Sequence, residues 1–583
     1  MYDFTSEQQK FLASSGKVVL HACPGSGKTT VVAQKVINYI KEWNKPHQGV
    51  AVLSFTNVAS EEILRQSREL LPSGKEIAAP HFIGTLDSFI DNYIFLRFGY
   101  LLLSTPKRPI VVTSDISNSY RFWRRECHQR NCVLDIDQFK WSSEGVLTKD
   151  GEPVSCAGSG RYGPPCLQFK KWMLDNGMFF QNEIAGLSCI ILKKHPEVAR
   201  SVATRFPIII LDEAQDTSVE QMAILDLLCD AGMEALYIVG DPDQSIYEWR
   251  TADPESFLKK MNDTSWTQLS LSKNFRSSQL ICDATYVFSE ILKDGQANEA
   301  IGNCAKYGQK PIVLLYGNSV TPDLIVGKFK ELCTKNNISI TPENVAVVTR
   351  RKIHSNYDVK DLWKSSIVET LAQASYEWQC GNRKKAYAYC EKAVFQLVIK
   401  PVEDIKVSIE EDVEKVMSYK LWKAIIIDML IHLPTPDEQC GVWVTKVKSI
   451  ISKSLESFDV SLREGITIDE TIKIKSRDSQ KPDFKTFPVR AFFEKKNQEN
   501  YTRASVHGVK GETFDALLLL VEGTTGSTLT PSFLAKGDTS KELMRIAYVA
   551  MTRPRKLLVV AMPKSSADLN KRFPKEKWEY IEL

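Results

Sequence analysis

Several short runs along the chain are apolar at nearly every position: Val18–Ala22, Gly49–Phe55, Ile208–Leu211, Ala235–Val239, Pro311–Tyr316, Val345–Thr349, Ala516–Val521 and Lys556–Ala561. Unbroken apolarity, without a polar residue at every second position, is the mark of strands buried on both faces inside a parallel sheet. Helical spacing follows the first run, through Val32, Val36 and Ile40. Two long stretches interrupt this rhythm. Residues 100–200 mix aromatic, basic and cysteine-containing segments with a Gly/Ser/Pro loop from Gly151 to Pro165. Residues 353–495 are apolar at helical spacing, as in Ile367, Val368 and Leu371 or Val444, Val447 and Ile451. Within them Leu421–Leu433 is the most apolar segment, and with Lys423 and Asp428 inside it reads as a buried helix. The pattern predicts an α/β chain of two parallel-sheet units, each carrying a mainly helical insertion.

Composition narrows this only slightly. At 583 residues the chain exceeds one core, and about three to four structural units are expected. A hydrophobic fraction of 43% beside 25% charged residues excludes global disorder. The net charge of +4 argues neither for nor against nucleic acid, so any DNA surface must be a local groove. Cysteines lie without a framework spacing, no charged-then-apolar leader opens the chain, and no apolar run reaches the ~18 residues that cross a bilayer. Reduced thiols, no membrane and a cytoplasmic location are the expectation. Cys127, His128, Cys132, Cys156 and Cys166 contain no CxxC pair, which favours structural cysteines over a zinc site.

The chemistry gathers at the ends of the strands. Ile208–Leu211 stops at Asp212 and Glu213, where open α/β sheets bind ligands. Upstream, Val18–Ala22 runs into Cys23-Pro24-Gly25-Ser26-Gly27-Lys28-Thr29-Thr30 and then a helix. Strand, glycine loop, Lys-Thr and helix form a phosphate-binding arrangement, whose backbone N–H groups curl around a phosphate while Lys28 reaches its oxygens. Ala22 stands where the usual pattern begins with Gly. Thr29 and Asp212 are then the expected Mg²⁺ partners, and Glu213 the base that orients attacking water. Cys23, at a helix N-terminus, is expected to be a plain small residue rather than a redox brake. After Ala235–Val239, Gln244 is placed to sense a γ-phosphate, and the alternating Tyr247 and Trp249 present one aromatic face for base stacking.

In order and content these stretches resemble the motifs of superfamily 1A DNA helicases, the UvrD/Rep/PcrA group, from Phe4 to Ala561. The resemblance implies two RecA-like domains with ATP and Mg²⁺ between them, and 3′→5′ movement on single-stranded or 3′-tailed duplex DNA. It implies domain 1A at 1–99 and 201–274, insertion 1B at 100–200, domain 2A at 275–352 and 496–583, and a reduced insertion 2B at 353–495. Gln8 resembles the glutamine that reads adenine, Phe275 the ring stacked on it, and Arg276 and Arg553 the arginines that reach the γ-phosphate. Phe55, Tyr247 and Trp249 match the aromatics over which bases step; Thr56, Asn57, Thr85, His507 and Lys510 match DNA contacts. Gln215 matches the glutamine after the acidic pair.

Some positions depart from the pattern. Asp87 stands where many relatives carry His, and Met544 replaces the first of an Arg-Arg pair that ends in Arg545. Lys510-Gly511-Glu512 replaces the common Leu-Glu order, so the acid expected near the ribose is either Glu512 or absent. Size and the Gly-Thr-x-Asp-x-Phe variant resemble the compact GajB-like subgroup of the Gabija antiphage system. That resemblance implies a bacterial, nucleoid-associated ATPase working beside an OLD-type nuclease encoded nearby. Three readings follow: a DNA motor in repair or antiphage defence, a DNA-stimulated ATPase that switches a nuclease without unwinding, and a P-loop NTPase unrelated to nucleic acid.

Overall fold

The computed structural model describes residues 3–71, 77–103, 107–112, 136–142, 144, 146–149, 152–154, 165–247, 252–292, 295–317, 320–350, 363–399, 409–475, 484–493, 500–521, 529–565 and 567–583. The chain divides into two compact units. One comprises Met1–Val111, Cys127–Ile353 and Glu499–Leu583, the other Val112–Glu126 and His354–Gln498.

The larger unit holds two six-stranded sheets whose neighbouring strands are all parallel. The first is built of β1 (Lys17–Ala22), β2 (Val50–Ser54), β3 (Phe82–Thr85), β4 (Ile208–Leu211), β5 (Ala235–Gly240) and β6 (Thr267–Leu271), in the order β6-β1-β5-β4-β2-β3. Successive residues of one strand enter opposite cores. Val18, Leu20, Ile208 and Ile210 pack on one face with Val32 and Val36 of the helix Lys28–Lys41. Val19, Ile209 and Leu211 pack on the other with Leu187 and Ile191 of the helix Ile184–Lys194. Cover on both faces is what an unbroken apolar strand needs.

The second sheet repeats the plan with β7 (Ile312–Tyr316), β8 (Val345–Thr349), β9 (Thr502–Ser505), β10 (Phe514–Leu520), β11 (Pro554–Pro563) and β12 (Glu579–Glu582), ordered β9-β8-β10-β11-β7-β12. Val313, Val348 and Leu517 face one core; Ile312, Val347 and Leu518 face the other. The strands without an apolar run in the sequence are β3, β6, β9 and β12. Each is an edge strand, partly open to solvent, and so not required to be apolar throughout.

Residues 100–200 carry the helices Pro165–Asp175 and Ile184–Lys194 and the start of Pro196–Arg205, but short strands as well. Ile110–Val112 joins Met178–Phe180, and Phe139–Trp141, Leu147–Lys149 and Glu152–Pro153 form a small antiparallel sheet. Strands of two or three residues are too short to show a period in sequence. The smaller unit is helical: Ser366–Gln379, Arg383–Val398, Tyr419–His432 and Cys440–Ser457 enclose Leu371, Trp422 and Trp443. The segment expected to be a buried helix is buried on one side only. Trp422, Ile425, Ile426, Met429 and Leu430 point inward, whereas Leu421, Ile427 and Ile431 are exposed.

Among the described residues no helix is long and apolar enough to cross a membrane. None of their His, Cys, Asp and Glu side chains group as a metal-binding cluster. Cys127, His128, Cys132 and Cys156 lie outside the described residues, and Cys166 is buried.

Candidate functional site at the phosphate loop

β1 ends at Ala22, the chain turns through Cys23–Gly27, and a helix begins at Lys28. Gly25 and Gly27 adopt φ of 76° and 75°, a region that side chains disfavour. A Cβ on Gly25 would lie 2.7 Å from Arg276 Cβ and 2.8 Å from Asn274 Oδ1, so the loop closes directly on the segment that follows β6. The Phe275 amide donates to Gly25 O at 2.8 Å, fixing that contact. Ser26 Oγ is buried with no protein partner, and Thr29 and Thr30 stand half-buried in the first turn of the helix. Gln8 lies in the capped helix Ser6–Ala13, with its Oε1 accepting from Thr5 N at 3.0 Å and its Nε2 donating to Ser26 O at 3.1 Å. Phe275 is 38% exposed beside the loop.

Lys28 Nζ stands 2.6 Å from Glu213 Oε1 and 3.3 Å from Asp212 Oδ1. Burial opposes its charge, but the two carboxylates outweigh burial and raise its pKa. Burial also pushes Asp212 up, and the neighbouring Glu213 charge adds to that. Glu213 goes the other way. Burial would raise it, yet Lys28 and Lys510 hold it down to about 2, so it stays an ionised acceptor. Its backbone has φ of 57°, a left-handed conformation costing ~1–3 kcal/mol for a residue with a side chain. That turn places Glu213 N on Asp212 Oδ1 at 2.9 Å and lets Gln215 Nε2 donate to Glu213 Oε2 at 2.6 Å.

The second sheet contributes from the opposite side. Arg553 Nη2 donates to Gln244 Oε1 at 2.6 Å, while Gln244 Nε2 donates to Asp241 Oδ2 at 2.6 Å. Arg276 Nη1 reaches Thr552 O at 3.1 Å. Burial lowers the pKa of both guanidinium groups, and Arg553 lowers that of Arg276 further. Arg553 thus opposes the charge of Arg276, and an anion beside the two cations would relieve that opposition. Lys28, Asp212, Glu213, Gln244, Arg276 and Arg553 are thus brought together. Glu512 is not part of this cluster; it is exposed on the turn after Val509.

A second group lies at the strand tips. Phe55, after β2, has its ring centroid 5.0 Å from that of Tyr247, which lies 5.6 Å from the His507 ring. His507 Nε2 contacts Ile246 O at 2.9 Å. Thr56 and Thr85 cap the helices Asn57–Leu70 and Leu86–Ile90 with their hydroxyls, and Asn57 is exposed. Trp249 lies outside the described residues. Lys510 is turned inward: it pairs with Asp216 Oδ2, donates to Gln244 O at 2.8 Å and lies 4.8 Å from the centroid of the Tyr247 ring. Asp87 accepts from Gln221 Nε2 at 2.6 Å.

The sequence reading assigned no role to His21, Asp216, Asp241, Asp243 or Asn274. Asp241 and Asp243 follow β5 directly, but nothing in spacing says that Asp241 holds the Gln244 amide. Cys23 opens the turn that follows β1. The thiol is buried, and burial pushes its pKa well up, which leaves a small unreactive side chain.

The donor set fits a nucleoside triphosphate with a hard cation. The loop offers a glycine-lined backbone cradle and an unpartnered buried hydroxyl, Thr29 and Asp212 present side-chain oxygens beside it, and three cationic side chains converge. Residues 4–109 and 166–265 match the UvrD/REP helicase N-terminal domain. Over 286 residues the chain is 29% identical to "Gabija protein GajB" of Bacillus cereus (strain VD045), covering 48% of this chain and 48% of the relative. That likeness spans about half the length of the relative. It is 22% identical over 634 residues to "ATP-dependent DNA helicase Rep" of Buchnera aphidicola subsp. Schizaphis graminum (strain Sg), covering 93% of this chain and 90% of the relative. With "ATP-dependent DNA helicase PcrA" of Bacillus subtilis (strain 168) it shares 24% over 417 residues, 68% of this chain and 53% of the relative.

Proposed function

We propose, on the premise that the chain is UvrD/Rep/PcrA-like, that it hydrolyses ATP between its two parallel sheets and uses the cycle to move 3′→5′ along single-stranded DNA. In this reading the division is 1A at 1–99 and 201–274, 1B at 100–200, 2A at 275–352 and 496–583, and 2B at 353–495. The observation that carries it is the Arg553–Gln244–Asp241 chain, which joins the second sheet to the first at the phosphate loop.

Gln8 and Phe275 take the base. Gly25, Ser26, Gly27 and Thr30 line the phosphates, and Lys28 leaves the carboxylates to face them. Thr29 and Asp212 would hold Mg²⁺, which supplies charge neutralisation on the phosphate oxygens. Glu213, kept ionised, accepts the proton of the attacking water, while Gln244 orients that water. Arg276 and Arg553 offset the charge that grows in the transition state, and only a shut cleft brings them there. Opening after hydrolysis shifts the tips that carry Phe55, Tyr247 and His507, and a strand stacked on those rings advances.

The likeness to GajB supports a place in antiphage defence beside a nuclease encoded nearby, in a bacterial cytoplasm and on the nucleoid; DNA repair is the other setting. The test is ATP hydrolysis with and without single-stranded DNA, followed by strand displacement on 3′-tailed and 5′-tailed duplexes. Stimulation by DNA and displacement from the 3′ tail alone are expected. ATP turnover indifferent to DNA would overturn the reading.

A further inference from the structure

The helix Ser6–Ala13 carries Gln8 and has only eight residues, too few to stand alone in water, so its place depends on what it docks against. Its start is tied to the segment after β6, where Ser272 donates to Glu7 through its amide at 2.8 Å and its hydroxyl at 2.6 Å. Its end meets Lys35. That side chain is 3% exposed, and Nζ donates to Phe11 O at 3.2 Å, Leu12 O at 2.8 Å and Ser14 O at 2.6 Å. All three of its N–H groups thus serve carbonyls that a helix end leaves open, where a cation is favoured. Around it stand the rings of Phe11, Tyr39 and Tyr237, with Nζ 5.7, 5.4 and 4.7 Å from their centroids. We propose that Lys35 is a positioning residue for base recognition, holding Gln8 at the distance from the phosphate loop that adenine requires. This rests on the reading that Gln8 takes the base of ATP.

Packing alone does not require a lysine here. A buried ammonium costs desolvation, and a methionine would fill the same space between three rings. Burial brings the Lys35 pKa down to about 8 and pushes the phenols of Tyr39 and Tyr237 up, so at pH 7 a charged ammonium faces neutral rings. What the ammonium adds is direction: three donors fix three carbonyls, whereas apolar contact lets a short helix slide or turn. Phe11 and Leu12 follow Gln8 by three and four residues and so share its side of the helix, one turn on. Lys35 follows Lys28 by seven residues in the helix Lys28–Lys41, two turns and about 10 Å along the axis. One rigid helix therefore bears the cation of the phosphate loop at its start and the anchor of the Gln8 helix two turns later. That sets the spacing between phosphate and base. Gln8 Nε2 donates to Ser26 O at 3.1 Å, and an amide that pairs with adenine must offer a donor to N7 and an acceptor to N6 together. Guanine presents acceptors at both places, so a displaced amide weakens adenine binding and leaves guanine binding as it was.

The experiment is steady-state hydrolysis of ATP and of GTP by the full chain at pH 7, with Mg²⁺ and saturating single-stranded DNA. Wild type, Lys35→Met, Gln8→Ala and the double mutant are compared, with thermal melting of each. Wild type should prefer ATP by kcat/KM. Lys35→Met should raise KM for ATP about tenfold, with KM for GTP within about twofold and kcat for both within about threefold, the mark of lost ground-state binding. Added to Gln8→Ala, it should change the preference no further. An ATP to GTP ratio in Lys35→Met equal to that of wild type would overturn the proposal. Equal losses with both nucleotides would do so too, since they mark a disturbed phosphate helix. If Lys35→Met melts too early to assay, Lys35→Gln, which keeps two N–H donors, carries the test: a fall of about threefold in the ratio is expected, and an unchanged ratio overturns the proposal. A wild-type chain that hydrolyses both nucleotides alike would instead remove the reading of Gln8, and this one with it.

Discussion

Arg553 and Gln244 stand 309 residues apart in the chain and 2.6 Å apart at Nη2 and Oε1. One follows the helix Glu542–Met551 beside the second sheet; the other follows β5 of the first. Because the guanidinium holds the amide that would orient water, the two should act as a unit. Arg553→Ala is expected to lower ATP turnover by about 10³-fold or more, the scale of an arginine that offsets phosphoryl charge. Gln244→Ala should also lower kcat, and the double mutant should be little worse than Arg553→Ala alone. Strictly additive losses in a double-mutant cycle would show that the contact has no part in turnover.

Lys28 is held by two carboxylates in the absence of phosphate. Lys28→Ala should reduce ATP turnover at least about 100-fold, because it removes the cation that opens the helix directly after the loop. Single-stranded DNA affinity should stay within about threefold, since the aromatic group at the strand tips does not include Lys28. Fluorescence anisotropy with a labelled oligonucleotide, beside a phosphate-release assay, checks both halves. Undiminished turnover in this variant would refute the nucleotide site.

Much of the scaffold could be read directly from the chain because parallel strands covered on both faces must be apolar throughout. β4 and β8 appear in the sequence with the bounds they have in the fold. Edge strands such as β6 and β12 escaped because half-solvated backbone imposes no such demand. The loop at Gly25 and Gly27 was legible for a related reason: positive φ and close approach to Arg276 leave glycine little competition. Partner choice was not. Lys510 sits in a stretch that resembles a DNA-contacting motif, yet its ammonium points at Asp216, and no local spacing encodes a contact 294 residues away. The Glu213 turn was equally hidden, since a carboxylate in the left-handed region is imposed by its surroundings rather than by propensity.

Tyr247 ties the aromatic group together, between Phe55 at 5.0 Å and His507 at 5.6 Å. Tyr247→Ala should weaken single-stranded DNA binding by about 1–3 kcal/mol, the value of one stacked base. Stimulation of ATP turnover by DNA should fall with it, while turnover without DNA changes little. Tyr247→Phe should retain most of both, because stacking needs the ring. Equal losses in the two variants would point to the hydroxyl and against stacking.

Lys510 and Asp216 supply the last test, and it includes pH. Both side chains are buried, at 9% and 1% exposure, and Asp216 Oδ1 has no partner. Burial raises Asp216 to about 6 even though Lys510 pulls it down. A carboxyl whose folded pKa exceeds its unfolded value, ~3.9, binds the extra proton in the native state. Stability therefore declines as pH rises between about 4 and 6, and levels off above. Lys510→Met removes the opposing cation, lifts Asp216 further and extends that decline to higher pH. The variant should lose about 3–5 kcal/mol at pH 8, as expected when one partner of a buried pair is deleted, and markedly less at pH 5. Adding Asp216→Asn should restore much of the loss at pH 8. Urea denaturation at the two pH values measures this. A lysine that served DNA instead would leave stability unchanged and lower the salt slope of DNA binding by about one.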